Sequence, residues 1–218
     1  MRSTMAKRAG ALTALLVAGL TAGVLPAHAT TPAGVASLGA ADFTKSGTTS
    51  TIPTLAPCAV EGPTSAQSGL VTKPGVSFGG GTSSCTTTVT DPANDITTTT
   101  SKATGTNFEL SALVSLGGPR VRIRNYEVTC TATQTQTNAN WTFGGLSGIT
   151  GLPSPMPANY TKPLTKSGGT VLANAVFNVQ NLPGDGSMSL TMLRIDFTPD
   201  SGITGSVTVG STACSPTP

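Results

Sequence analysis

Arg120, Arg122 and Arg124 alternate along one short stretch of the chain. In an extended strand, alternate residues point to one face, so the three guanidinium groups line up over about 13 Å. That spacing suits a polyanion such as a wall teichoic acid or a phosphorylated glycan, because each planar fork can meet one phosphate. The competing assignment is a solvated sheet face on which the arginines pair with carboxylates from neighbouring strands, with Glu109, Glu127 and Asp196 as the available partners. Trp141, Tyr126 and Tyr160 have aromatic rings with polar ends. Such rings stack on sugars when exposed, and pack against disulfides when buried in a β-sandwich. Arg120, Arg122, Arg124, Trp141 and Tyr126 therefore form the candidate ligand face.

Other constellations are weaker. Asp91, Asn94 and Asp95, with Asp185 or Asp200 in other turns, offer oxygen ligands of the kind calcium takes, but Asx residues are also the ordinary chemistry of tight turns. The sequence calls for no metal and no cofactor. The only histidine, His28, falls in a segment expected to be removed, so the exported form has no imidazole for a Ser–His–Asp or Cys–His site. No Gly-x-Ser-x-Gly elbow occurs, and most of the few acids lie in expected turns, which leaves little room for a carboxylate pair. The chain reads as a non-enzyme. Asn140-Trp141-Thr142 and Asn159-Tyr160-Thr161 match the N-glycosylation pattern.

Residues 1–29 have the layout of a secretory signal. Arg2, Lys7 and Arg8 precede an apolar run from Ala9 to Leu25, Pro26 breaks it, and Ala27-His28-Ala29 supplies the small residues of a cleavage site after Ala29. The run is too short, and too interrupted by Thr13 and Thr21, for a retained span. The full chain of 218 residues has a formal charge of +3, but the three basic residues of the leader account for that surplus. The exported form is then neutral, which argues against nucleic acid and against an anionic membrane surface as partners. No lipoprotein box, sortase-type signal or other stable membrane anchor is expected. The protein should be secreted, extracellular or loosely associated with the cell wall.

Cys58, Cys85, Cys130 and Cys214 in an exported chain imply two disulfides. Of the three possible pairings, Cys58–Cys85 with Cys130–Cys214 is favoured, because each bond would tie together strands of one half of the chain. The spacings fit no zinc pattern.

The elements around these residues are strands. Apolar residues alternate, no window holds a 3.6-residue period, and Thr is abundant, as on solvated strand faces. Residues 30–57 read as a loose Thr/Pro-rich leader into a first strand, and 58–218 as one β-sandwich domain. Strands are expected near 68–73, 84–90 and 95–101, with the turn Asp91–Asp95 between the last two, and 107–116 leads into Gly117-Gly118-Pro119. The clearest strand runs from Arg120 to Thr133. Its buried parity passes from Val121 and Ile123 to Val128, Cys130 and Ala132, which predicts a β-bulge near Asn125. A loop-rich middle, 134–168, includes one short strand at Trp141–Phe143. Strands follow at 171–179, at 187–198 with a second parity shift, and around Val207 and Val209. The fold class is all-β: an antiparallel β-sandwich of about eight short strands with two disulfides.

The first segment closes on Ile52-Pro53-Thr54-Leu55-Ala56-Pro57-Cys58. Val128-Thr129-Cys130-Thr131-Ala132 and the Gly-Gly-Thr-Val of 168–171 follow, and Val209-Gly210-Ser211-Thr212-Ala213-Cys214 ends the domain. This order resembles the actinobacterial choice-of-anchor P proteins, exported β-rich surface proteins that differ in how they attach to the envelope. The resemblance implies a secreted or wall-associated protein of unestablished biochemical role, with no catalytic residues to carry over; the partner expected of the exported chain is a cell-wall glycan or other envelope component.

Overall fold

The computed structural model describes residues 32–216; the expected signal, residues 1–29 with His28, lies outside them. In chain order the strands are β1 (Gly34–Lys45), β2 (Thr48–Leu55), β3 (Cys58–Ala59), β4 (Ser65–Ser68), β5 (Val71–Lys73), β6 (Val76–Phe78) and β7 (Gly80–Asp91). Then come β8 (Ile96–Leu110), β9 (Val121–Ala132), β10 (Thr137–Gly144), β11 (Tyr160–Thr165), β12 (Val171–Asn181), β13 (Met188–Phe197) and β14 (Ile203–Cys214). They form two antiparallel sheets. Sheet one has the order β11-β12-β13-β14-β1-β2, with β3 also on β1. Sheet two has the order β10-β9-β8-β6-β5, with β7 on β8 and β4 on β7. Their inner faces enclose a main core around Leu38, Phe78, Phe108, Ile123, Phe177 and Met192, with a smaller cluster of Cys130, Ala132, Met188 and Cys214. The chain is an all-β sandwich.

The strand number exceeds the expected eight because several ribbons are interrupted. β2 and β3 pair with successive parts of β1, and β6 and β7 with successive parts of β8. The expected strand at 68–73 is split into β4 and β5. The loop-rich middle holds two edge strands, β10 and β11, where only Trp141–Phe143 was expected. An edge tolerates Pro163 in β11 because one side of the strand needs no ladder bond.

The largest departure from expectation is the leader. Residues 30–57 are not loose from Gly34 onward: β1 lies between β14 and β2 within sheet one and buries Ala36, Leu38, Ala41 and Phe43. Its small residues are required by close packing. A Cβ on Gly34 would come within 2.7 Å of Ser101 Oγ and of Thr99 Cγ2 from the opposite sheet. A Cβ on Gly39 would sit 2.3 Å from the Thr208 carbonyl oxygen.

The two parity shifts are real, but neither is a bulge in a single strand. In sheet one, Thr191 pairs with Ser211 and Leu193 with Val209, so Met192 and Gly210 drop out together. Ser37 pairs with Ser211 and Gly39 with Val209, which leaves out Leu38. Val179 pairs with Thr191 and Phe177 with Leu193, which leaves out Asn178. The four unpaired residues form a transverse crease across the sheet, with Asn178 at φ 53 and Gly210 at φ 63. In sheet two, Thr106 pairs with Asn125 and Phe108 with Ile123, so Asn107 (φ 49) and Arg124 form a shorter crease. A residue added to one strand alone would slip its register and turn its later side chains to the wrong face. Because neighbouring strands carry the irregularity at the same level, pairing resumes in register.

Both disulfides cross between the sheets. Cys58 on β3 bonds Cys85 on β7, and Cys130 on β9 bonds Cys214 on β14. They sit toward one end of the sandwich, where Ala36 pairs with Cys58 and Gly34 with Cys214. At the other end, Lys45 Nζ on β1 donates to the Ala112 carbonyl oxygen at 2.6 Å, beyond the end of β8 in sheet two.

Candidate ligand face

Arg122 and Arg124 lie on the outer side of β9, exposed, between the buried Val121, Ile123 and Tyr126. Arg120 precedes the strand on the same side. Cross-strand register sets Glu109 of β8 directly opposite Arg122. Arg122 Nε meets Glu109 Oε2 at 2.7 Å, and Arg120 holds the other carboxylate oxygen. The hydrogen bond from Arg122 holds the Glu109 carboxyl below its usual range; partial desolvation opposes this, and Arg120 adds to it. Of the anticipated carboxylates, Glu109 is the one that pairs with the arginines. Glu127 pairs with Lys102 at 2.8 Å, and Asp196 with Arg194 at 2.9 Å.

Arg124 differs from its neighbours. Among the described residues no carboxylate pairs with it. It borders a recess of about 480 Å³ shared with Asn107, Glu109, Arg122, Leu146 and Ser147. Gly145 packs onto Arg124, where a Cβ would approach the arginine Cβ to 2.7 Å. Exposed guanidinium, amide and hydroxyl groups at this recess can offer hydrogen bonds to an oxyanion.

Tyr126 and Trp141 belong to the opposite side of the sheet, so the candidate ligand face splits. The crease at Arg124 reverses the parity of β9, and Tyr126 turns inward with 2% of its surface exposed. Its hydroxyl donates to the Leu38 carbonyl oxygen at 2.9 Å. Burial pushes its phenol well above the ordinary range. Trp141, opposite Val128, shares that inner side. Its Nε1 donates to Asn178 Oδ1 at 3.0 Å, and its ring stacks on Phe143 at 5.6 Å. Both rings thus tie one sheet to a crease residue of the other. Tyr160 on β11, opposite Phe177 of β12, is half-buried against the core.

Two of the turn acids, Asp91 and Asp185, have local partners. Asp91 accepts the Ala93 amide at 3.0 Å and Asn94 Nδ2 at 2.7 Å, an Asx turn that also holds its carboxyl below the usual range. Asp185 accepts the Ser187 amide at 2.9 Å. Among the described residues no group of three or more His, Cys, Asp or Glu side chains gathers as a metal site would need.

Two further recesses had not been anticipated. One, of about 850 Å³, is lined by Thr129, Thr131, Thr133, Gln136, Asn138 and Asn140 and has no charge. The alternation of Thr129, Thr131 and Thr133 was its only sequence signal. The other, of about 430 Å³, lies on sheet one over Val35, Ser37, Ala59, Thr191 and Ala213. Its small residues give no pattern that a sequence reading could separate from ordinary strand. Among the described residues no helix is long and apolar enough to cross a membrane. No protein-family model matches the chain, and neither a curated protein nor a solved structure matches it.

Proposed function

We propose that this chain is an exported, non-catalytic β-sandwich protein of the cell envelope or extracellular space, of the kind that the resemblance to choice-of-anchor P proteins implies. The observation that carries the reading is the oxidation of all four cysteines into two bonds between the sheets. Bonds of this kind form and persist in oxidising compartments and are rare in the cytosol. The signal-like layout of residues 1–29 points the same way. Fractionation of the native host tests it: the protein should appear in the medium or be released from the wall by salt. Recovery from the cytosol with reduced thiols would contradict it.

A second reading is favoured by Arg124, which stands exposed beside a polar recess with no carboxylate partner among the described residues. In that reading the outer side of sheet two binds a polyanion or an acidic glycan, with Arg124 as the principal contact and Arg120 and Arg122 restrained by Glu109. A glycan and teichoic-acid array separates the two. Binding removed by Arg124→Ser supports the module, and no binding, or binding indifferent to that change, leaves the structural reading alone.

A further inference from the structure

A β-sandwich has exposed edges, and each is a template for another strand unless it is blunted. Three of the edges here are blunted. β2 carries Pro53, β11 carries Pro163 beside Lys162, and β4 and β5 are short pieces of four and three residues. The edge strand β10 is different: Thr137–Gly144 runs eight residues without a proline or a charge. Its Trp141 amide is held by the neighbouring Asn140 Oδ1 at 2.7 Å, not by β9. In an antiparallel pair the backbone groups of alternate residues point to opposite sides, so those of Thr137, Ala139, Trp141 and Phe143 face the free edge. Among the described residues no backbone group beyond β9 bonds to them.

We propose that this edge pairs with the β10 edge of a second copy, antiparallel about a two-fold axis at Asn140, so that two copies of sheet two become one continuous sheet. The backbone requires the axis to pass through a residue position, because hydrogen-bonded pairs must join residues whose groups face the edge, and Asn140 is the position that sets small side chains against large ones. Centring on Asn140 sets Ala139 against the partner subunit's Trp141, and Thr137 against the partner subunit's Phe143. On pairing, the Trp141 amide leaves Asn140 Oδ1 for the partner subunit's Ala139 carbonyl oxygen. A small side chain thus meets a large one on the inner side. On the outer side, Asn138 meets the partner subunit's Thr142, amide against hydroxyl. A two-fold axis also brings the central residue beside its own copy, where a charge would repel itself. β10 has none. The uncharged recess over Asn138 and Asn140 leaves space along this edge.

Sedimentation equilibrium of the oxidised protein tests the proposal. One pair of eight-residue strands is a small contact, so the dimer should be populated at about 100 μM and dissociate on dilution. Asn140→Asp keeps an oxygen for the Trp141 amide but sets two carboxylates face to face, and should weaken dimerisation at least about tenfold. Asn140→Lys should do the same, and mixing the two variants should restore a heterodimer. Thr161→Asp on β11 should change nothing. In the unsubstituted protein, amide exchange at Ala139, Trp141 and Phe143 should slow as concentration rises. A monomer at about 1 mM, a dimer indifferent to both Asn140 changes, or concentration-independent exchange at those amides would each overturn the proposal.

Discussion

The hydroxyl of Tyr126 donates across the sandwich to the carbonyl oxygen of Leu38, at 2.9 Å. Leu38 is the β1 residue that drops out of the ladder with β14, so the crease gives its carbonyl a partner from the other sheet. Gly105 and Gly210 make room for the ring: a Cβ on Gly105 would lie 2.2 Å from Tyr126 Cζ, and one on Gly210 3.3 Å from Cδ2. Trp141 plays the equivalent part for Asn178 at φ 53. Two aromatic side chains that could stack on sugars are instead used to hold the sheets together where pairing is interrupted.

Replacing Tyr126 with Phe leaves the Leu38 carbonyl buried without that donor. Denaturant titration should show a loss of about 1–3 kcal/mol with the fold retained. The pH dependence should change too. Burial raises the folded-state pKa of Tyr126 above the ordinary phenol value of 10.0, so the unfolded chain ionises first. The stability this difference contributes is complete below about pH 10 and is lost as pH climbs toward the folded pKa. Urea midpoints measured from neutral to alkaline pH should fall more steeply for the natural chain than for Tyr126→Phe.

Gly105→Ala forces a methyl group into the Tyr126 ring, and should destabilise the protein by about 1–3 kcal/mol. In a Tyr126→Leu background the same change should cost less than about 0.5 kcal/mol, since the colliding ring is gone. Strong coupling in that double-mutant cycle is the expected result.

Ser101 Oγ is buried between the sheets and has no hydrogen-bond partner among the described residues. Ser101→Ala removes a desolvated hydroxyl without opening a large cavity, and should raise stability by about 1 kcal/mol. Thermal denaturation would register this as a higher midpoint, whereas a drop would mean that the hydroxyl does have a partner in solution.

If the Arg face binds polyanions, Glu109→Gln should strengthen binding by releasing Arg120 and Arg122 from their shared carboxylate. It should also steepen the salt dependence, because more cations would then engage phosphates. Arg124→Ser should weaken binding in either background. Affinity measured against a teichoic acid at two ionic strengths checks both signs.

The sequence pattern revealed the fold class, one outward row of arginines and the favoured cysteine pairing, but not the arrangement that decides the site. Glu109 was one of three carboxylates that could have met the arginines, and only the β8–β9 register selects it. The parity shift in β9 already separates Tyr126 from Arg122 and Arg124. It was legible in Val121, Ile123, Val128 and Cys130, and its consequence for Tyr126 follows once the strand is continuous. The creases themselves were not legible, because a row shared by several strands exists only after pairing. β1 was hidden for a different reason: sheets that approach closely demand Gly, Ala and Ser, and such residues look like a linker.

The most direct test is N-terminal and disulfide mapping of the protein recovered from its host without reduction. The chain should start at Thr30, with Cys58 joined to Cys85 and Cys130 to Cys214. A chain that keeps residues 1–29, or one with free thiols at those positions, would contradict it.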